Sequence, residues 1–238
     1  MGFDTKLLLQ QATDYAYQRF KLKSPNKYYP EKLQLTQYKL SKGKVDSAEE
    51  ADVNIPATMF IRRHFHSDQM DEWRDNNLQY LREKTLYNEN DAIANIKELN
   101  MFIDKLGYPA AGNCDELSHM AYDYIINHLR KIHDNSTNIA LVTYEPPYDH
   151  VFIILTKTRK KILKDFIGVD AGVEYVCDPW ARINCRIENY PNLWKQKMLK
   201  WANRGLMIRT NSNTVSPLSA LVMNAPLLGR VRLLDQRL

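Results

Sequence analysis

The sequence predicts an α+β fold in which an amphipathic helix packs on an antiparallel sheet. Three observations carry this expectation. From Cys114 to about Ile132, the residues Leu117, Ala121, Tyr124, Ile125, Leu129 and Ile132 recur at helical period. Asn138 to Tyr144 and His150 to Thr156 are runs rich in β-branched and aromatic residues, joined through a turn at Pro146-Pro147. A further short run, Val173 to Cys177, stops at Asp178-Pro179-Trp180, where proline restricts the preceding residue to extended conformations.

The remaining elements follow from the same signals. Phe3 to Leu22 is amphipathic at helical spacing and ends at Ser24-Pro25-Asn26. Residues 41–54 are polar, with almost no large apolar side chain, and read as an exposed loop or subdomain boundary. Ser67 is expected to cap a helix carrying Met70, Trp73, Leu78 and Leu81. Asn90 is expected to cap another, carrying Ile93, Ile96, Leu99 and Ile103, that ends at Gly107 and Pro109. A basic connection, Lys157 to Lys164, separates two strands, and a helix around Leu193 to Trp201 closes with Gly205. Residues 1–65 are therefore expected to form a helical accessory region, and residues 66–238 the domain that carries the chemistry.

Composition narrows the classes. With 238 residues, 44% hydrophobic and 26% charged, the chain is long enough for a buried core and is neither disordered nor fibrous. A net charge of +5 falls short of a nucleic-acid footprint, so no nucleic-acid partner is expected. Three cysteines, Cys114, Cys177 and Cys185, show neither disulfide-scaffold nor zinc-finger spacing, and suit a reducing compartment. Eight glycines include no phosphate-binding loop, which excludes the common nucleotide-binding motifs. His64 and His66 alternate as strand-face ligands would, but no further ligand accompanies them, so neither a metal nor another cofactor is expected. No apolar run reaches the ~18–20 residues of a membrane span, and residues 1–25 lack a secretory signal; a soluble protein outside the general secretory route is expected. Met1-Gly2 is not read as a myristoylation site, because Lys6 stands where that motif has Ser or Thr.

The chemistry centres on Gly112-Asn113-Cys114 at the start of a helix. Free N–H groups and the positive dipole end of a helix favour a thiolate there, and the same groups can receive an oxyanion. The Cys114 amide is one candidate donor and the Asn113 side chain a second. The base must come from another element. His119, five residues on, lies roughly 140° around the helix and points elsewhere. His150, opening a nearly continuous apolar strand, is the better candidate, and Asp178 at a neighbouring strand end is placed to fix its tautomer. Cys177 must then face the other side of that strand; like Cys185, it reads as a core thiol. Trp180 is expected to line the cleft, and Asp115 and Glu116 to act as structural partners of the helix dipole.

Gly112-Asn113-Cys114-Asp115-Glu116, Asp149-His150-Val151-Phe152 and Val176-Cys177-Asp178-Pro179-Trp180 resemble the G-N-C-x-E, D-H-x-F and D-P-W signatures of papain-like and transglutaminase-like bacterial toxins and effectors. The resemblance covers about Gly112 to Ala181 and implies a papain-like core with Cys114, His150 and Asp178 as catalytic triad. It implies a protein substrate, host-derived, reached by a route other than general secretion, and leaves the N-terminal region available to bind a partner. The third member being Asp, it leans toward glutamine deamidation or transamidation, with proteolysis or an inactive host-interaction module as alternatives. One departure stands out: papain-type enzymes carry an oxyanion glutamine shortly before the cysteine, and here Asn113 or backbone donors must substitute.

Overall fold

A computed structural model describes residues 4–22, 24–28, 74–85, 91–106, 110–134, 136–156, 165–167, 173–203, 205–210 and 214–237. Helix α1 (Thr5–Arg19) starts where the Asp4 carboxylate accepts from the Lys6 and Leu7 amides at 2.9 and 3.2 Å. Strand β1 (Lys27–Tyr28), a helical stretch α2 at 74–84 and helix α3 (Ala92–Lys105) lead to α4 (Cys114–Lys131). Strands β2 (Asn138–Tyr144), β3 (Val151–Thr156), β4 (Asp165–Ile167), β5 (Tyr175–Asp178) and β6 (Ile183–Arg186) follow. Helix α5 (Tyr190–Ala202), strands β7 (Met207–Arg209) and β8 (Thr214–Val215), short helices α6 (Ala220–Met223) and α7 (Ala225–Leu228), and strand β9 (Arg230–Arg237) complete the order.

The architecture mixes helices with antiparallel sheet. Six strands pair in the order β4-β9-β2-β3-β5-β6, and β1-β7-β8 form a second, small sheet. The β2–β3 hairpin runs in register from Asn138↔Thr156 to Thr143↔Val151. Every residue of β2 and β3 is buried, as their continuous apolar character requires of central strands. Strand β9 inserts beside β2, so the far C-terminal segment sits inside the sheet rather than on its edge.

Helix α4 lies on β2 and β3, and α1 packs on α4, burying Leu8, Leu9, Ala12, Ala16 and Phe20 in the same core as Met120, Ala121 and Ile125. Helix α1 therefore shares the core of the six-stranded sheet, and β1 is hydrogen-bonded to β7 in the small sheet. Two further bonds fix α4: Ser118 Oγ donates to the Val151 carbonyl at 3.0 Å, and Tyr122 Oη to Asp235 Oδ2 of β9 at 2.9 Å.

Several boundaries move from expectation. His150 precedes β3 rather than opening it; its carbonyl accepts from the Tyr144 amide at 2.9 Å, while its own side chain turns into a cavity. Strand β5 ends on Asp178, paired with Ile183, and α5 begins at Tyr190, three residues before Leu193. Asp91 caps α3 through the Ala94 amide. Ser67, Asn90, Gly107 and Pro109, the loop 41–54, the connection 157–164, and both His64 and His66 lie outside the described residues.

Gly112 is held by close approach. A Cβ built there lies 2.9 Å from Cδ1 and Cγ of the buried Phe20 ring and 3.1 Å from Glu116 Cβ. Gly112→Ala is expected to push the ring aside and cost about 1–3 kcal/mol, read as a lower midpoint in urea unfolding with unchanged slope.

Candidate functional site

Cys114 is the first residue of α4, with Asn113 as N-cap. The cap is closed by Glu116, whose carboxylate accepts from the Asn113 amide at 2.8 Å. Glu116 is fully buried and paired with Arg82 at 2.6 Å. Asp115 engages His119, which contacts its carbonyl at 2.9 Å and its carboxylate at 3.1 Å. Both first-turn acids are thus committed to local structure, and His119 faces them rather than the thiol.

Ser118 lies one turn after Cys114 on the same helical face. Its bond to Val151, the residue after His150, sets the distance between the helix start and the imidazole. His150 Nε2 donates to Asp178 Oδ2 at 2.9 Å, which leaves Nδ1 for the thiol side. Asp178 has no exposed surface; Oδ2 also accepts from Tyr190 Oη at 2.9 Å, and Oδ1 from the Ala181 amide at 2.9 Å. The sequence-predicted Cys114, His150 and Asp178 therefore converge, and all three are buried.

Burial by itself lowers the pKa of His150, but the Asp178 carboxylate and a hydrogen bond with the Cys114 side chain outweigh it, pushing the imidazole up to about 10. Burial likewise pushes the Asp178 carboxyl up, and His150, the Ala181 amide and Tyr190 hold it below the ordinary carboxylate range. Cys177 turns to the opposite face, toward Leu9 and Thr13 of α1, as expected of a core thiol, whereas Cys185 is only half-buried; burial pushes both up to about 12.

The imidazole sits in an aromatic box. Its centroid lies 5.1 Å from the rings of both Trp180 and Trp194 and 5.9 Å from Phe152. Trp180 lines the cavity and is anchored by residues near the N-terminus. Its Nε1 donates to Asn26 Oδ1 at 2.7 Å, its carbonyl accepts from Lys27 Nζ, and that ammonium lies 4.6 Å from its ring and 4.7 Å from Trp201. Asn113 Oδ1 accepts from Ser24 Oγ and the Asn26 amide at 2.9 and 3.2 Å. Its carbonyl is thus taken and its NH2 group remains as the donor beside Cys114, where Asn113 lines the cavity.

Two cavities meet at Cys114, one of about 210 Å³ that includes His150, Trp180 and Trp194, and one of about 840 Å³ reaching past Thr143, Val151 and Arg232. Among the described residues, no group of His, Cys, Asp and Glu is arranged to hold a metal ion. No helix among them is long and apolar enough to cross a membrane.

Sequence reasoning missed Tyr190, Ser118, Asn26 and Lys27. Only Tyr190 left a trace, an aromatic pair with Trp194 at i,i+4 that places both rings on one helical face.

The pKa shifts fix a sign. Followed by NMR, the His150 imidazole should keep its proton well above pH 6.5 and lose it as pH rises toward about 10. In Asp178→Asn the lowering by burial loses its main opponent, so the titration should move down toward or below 6.5; an unmoved titration would refute the pairing. Tyr190→Phe should also shift it, because one of the three donors fixing Asp178 is gone. Comparison with protein-family models, with curated proteins and with solved structures finds no match to this chain.

Proposed function

We propose that the chain is a cysteine-nucleophile acyl-transfer enzyme that modifies a glutamine carboxamide of a protein, by deamidation or transamidation. The observation that carries this reading is the imidazole of His150, bonded on one side to a buried carboxylate and facing a helix-terminal thiol in a cavity on the other.

The residues divide the work as follows. Cys114 acts as a thiolate at the start of α4, where first-turn amides face it, and the protonated imidazole beside it compensates the charge. The thiolate attacks the carboxamide carbon, and the oxyanion that forms is received by first-turn amides with the Asn113 NH2 as a further donor. His150 then gives its proton to the departing nitrogen, ammonia leaves, and a thioester remains on Cys114. Asp178 stays ionised and holds the ring so that Nδ1 addresses the sulfur throughout.

Preference for glutamine over peptide cleavage rests on the Asp third member and on the resemblance of the three motifs to the transglutaminase-like branch. The same resemblance supports a papain-like core and a role as a bacterial effector acting on a host protein in the cytosol. Peptide hydrolysis uses the same thioester, and an inactive interaction module would retain the geometry without turnover.

Iodoacetamide at neutral pH should label Cys114 stoichiometrically ahead of the buried Cys177, and a Cys114 no more reactive than Cys177 would count for the inactive module. Cys114→Ala and His150→Ala are each expected to lower turnover by about 10³-fold or more with folding retained, because nucleophile and base act as a unit. Wild-type rate in Cys114→Ser would sink the covalent route. A target captured by Cys114→Ala and weighed intact after reaction with the active enzyme should gain about one dalton on deamidation, or lose about seventeen on joining to an amine; two fragments would establish proteolysis instead.

A further inference from the structure

An oxyanion donor has to be oriented before the reaction, because a carboxamide that rotates freely presents its oxygen as readily as its nitrogen. The carboxamide of Asn113 is held from outside its own helix, by Ser24 and Asn26, the former 89 positions earlier. The Asn26 backbone N–H can only donate, so the Asn113 atom 3.2 Å from it is the carbonyl oxygen Oδ1, and the NH2 group takes the other side. Ser24 Oγ lies 2.9 Å from the same oxygen.

The Ser24 hydroxyl has one proton and two acceptors for it. The second acceptor is Asn26 Oδ1 at 2.6 Å, an atom fixed as oxygen by the indole N–H of Trp180, which can only donate, at 2.7 Å. Ser24 Oγ in turn accepts from Trp180 Nε1 at 3.2 Å. One hydroxyl thus joins Asn113, beside the thiol, to Trp180, beside the imidazole.

The segment that carries it is pinned on both flanks. The Leu22 amide donates to the Ala110 carbonyl at 3.1 Å, the Arg209 amide donates to the Asn26 carbonyl at 2.9 Å, and Lys27 pairs with Ile208 in the small sheet. The local turn is closed by the Ser24 carbonyl, which accepts from the Lys27 amide at 3.1 Å, and so makes no use of the hydroxyl. Ser24 is 5% exposed, which removes water as a competitor for its proton.

We infer that, on the acyl-transfer reading above, Ser24 is a positioning residue for the reaction: it holds the Asn113 carboxamide with its NH2 turned to receive the oxyanion, and it acts through Asn113 rather than through the thiol and imidazole. Two reactions of the same sulfur separate these routes. Acylation of Cys114 passes through a tetrahedral oxyanion, whereas alkylation at a saturated carbon forms none, so a residue that works through Asn113 alters the first and spares the second.

The test measures two rates on the full chain, the p-nitrophenolate burst as p-nitrophenyl acetate acylates Cys114 and the alkylation of Cys114 by iodoacetamide. Ser24→Ala is expected to slow the burst about three- to tenfold, the scale of one neutral hydrogen bond, with alkylation within about twofold of the unsubstituted chain. Asn113→Ala should slow the burst about 10²-fold or more, and Ser24→Ala added to it should slow it no further. Ser24→Gly gives the same comparison should the alanine variant not fold. An unchanged burst, an equal slowing of burst and alkylation, or a Ser24 effect that persists in the Asn113→Ala background overturns the positioning role while leaving the acyl-transfer reading intact. No burst above that of Cys114→Ala overturns both.

Discussion

The carboxylate of Asp178 is an ion without exposed surface, and an uncompensated charge in that position would cost several kcal/mol. Three donors from three places remove the penalty: the imidazole of the segment before β3, the phenol at the start of α5, and the amide of Ala181 in the turn after β5. Each donor ties a different element to the end of β5. The position of α5, the turn carrying Trp180 and the tautomer of His150 are thus consequences of satisfying one buried group. The ring is thereby held with oxygen on one side and sulfur on the other.

A second constraint couples this assembly to Cys114. Ser118 is one turn along α4 from Cys114, and its bond to Val151 runs to the residue after His150. Sliding α4 along the sheet by one turn, about 5.4 Å, would break that bond and carry the thiol away from the imidazole. Glu116 works on the same element from the other direction. Its pairing with Arg82 and its closure of the cap commit a first-turn charge away from the thiol. Asp115 is likewise engaged, with His119. The thiol is therefore faced by the helix end, by His150 and by Asp149, which lines both cavities with it.

How much of this was legible in the sequence follows from the range of the interactions. Cys114, His150 and Asp178 could be found because each stands at the end of a periodic run, and helix starts and strand ends are visible in local pattern. The β2–β3 hairpin was readable for the same reason: both strands are continuous apolar runs separated by a turn. Strand β9 was not, because its partner β2 lies about ninety residues earlier and no local pattern specifies that pairing. Ser118 and Asn26 were invisible because one hydroxyl and one amide among many carry no signal until the fold brings them to the site. Tyr190 was half visible, as an aromatic on a helix whose start was placed three residues late.

The N-terminal segment illustrates how composition misleads about integration. A polar stretch at 41–54 suggests a boundary, yet Ser24, Asn26 and Lys27 on its N-terminal side hold Asn113 and Trp180, two residues lining the site. Lys27 is nearly buried, its ammonium set between the Trp180 and Trp201 rings and bonded to the Trp180 carbonyl. The two rings and the carbonyl receive a cation that burial has withdrawn from water. Because Trp180 in turn packs on His150, the geometry of the imidazole depends on residues almost 90 positions before the cysteine as well as on the helix that follows Asp178.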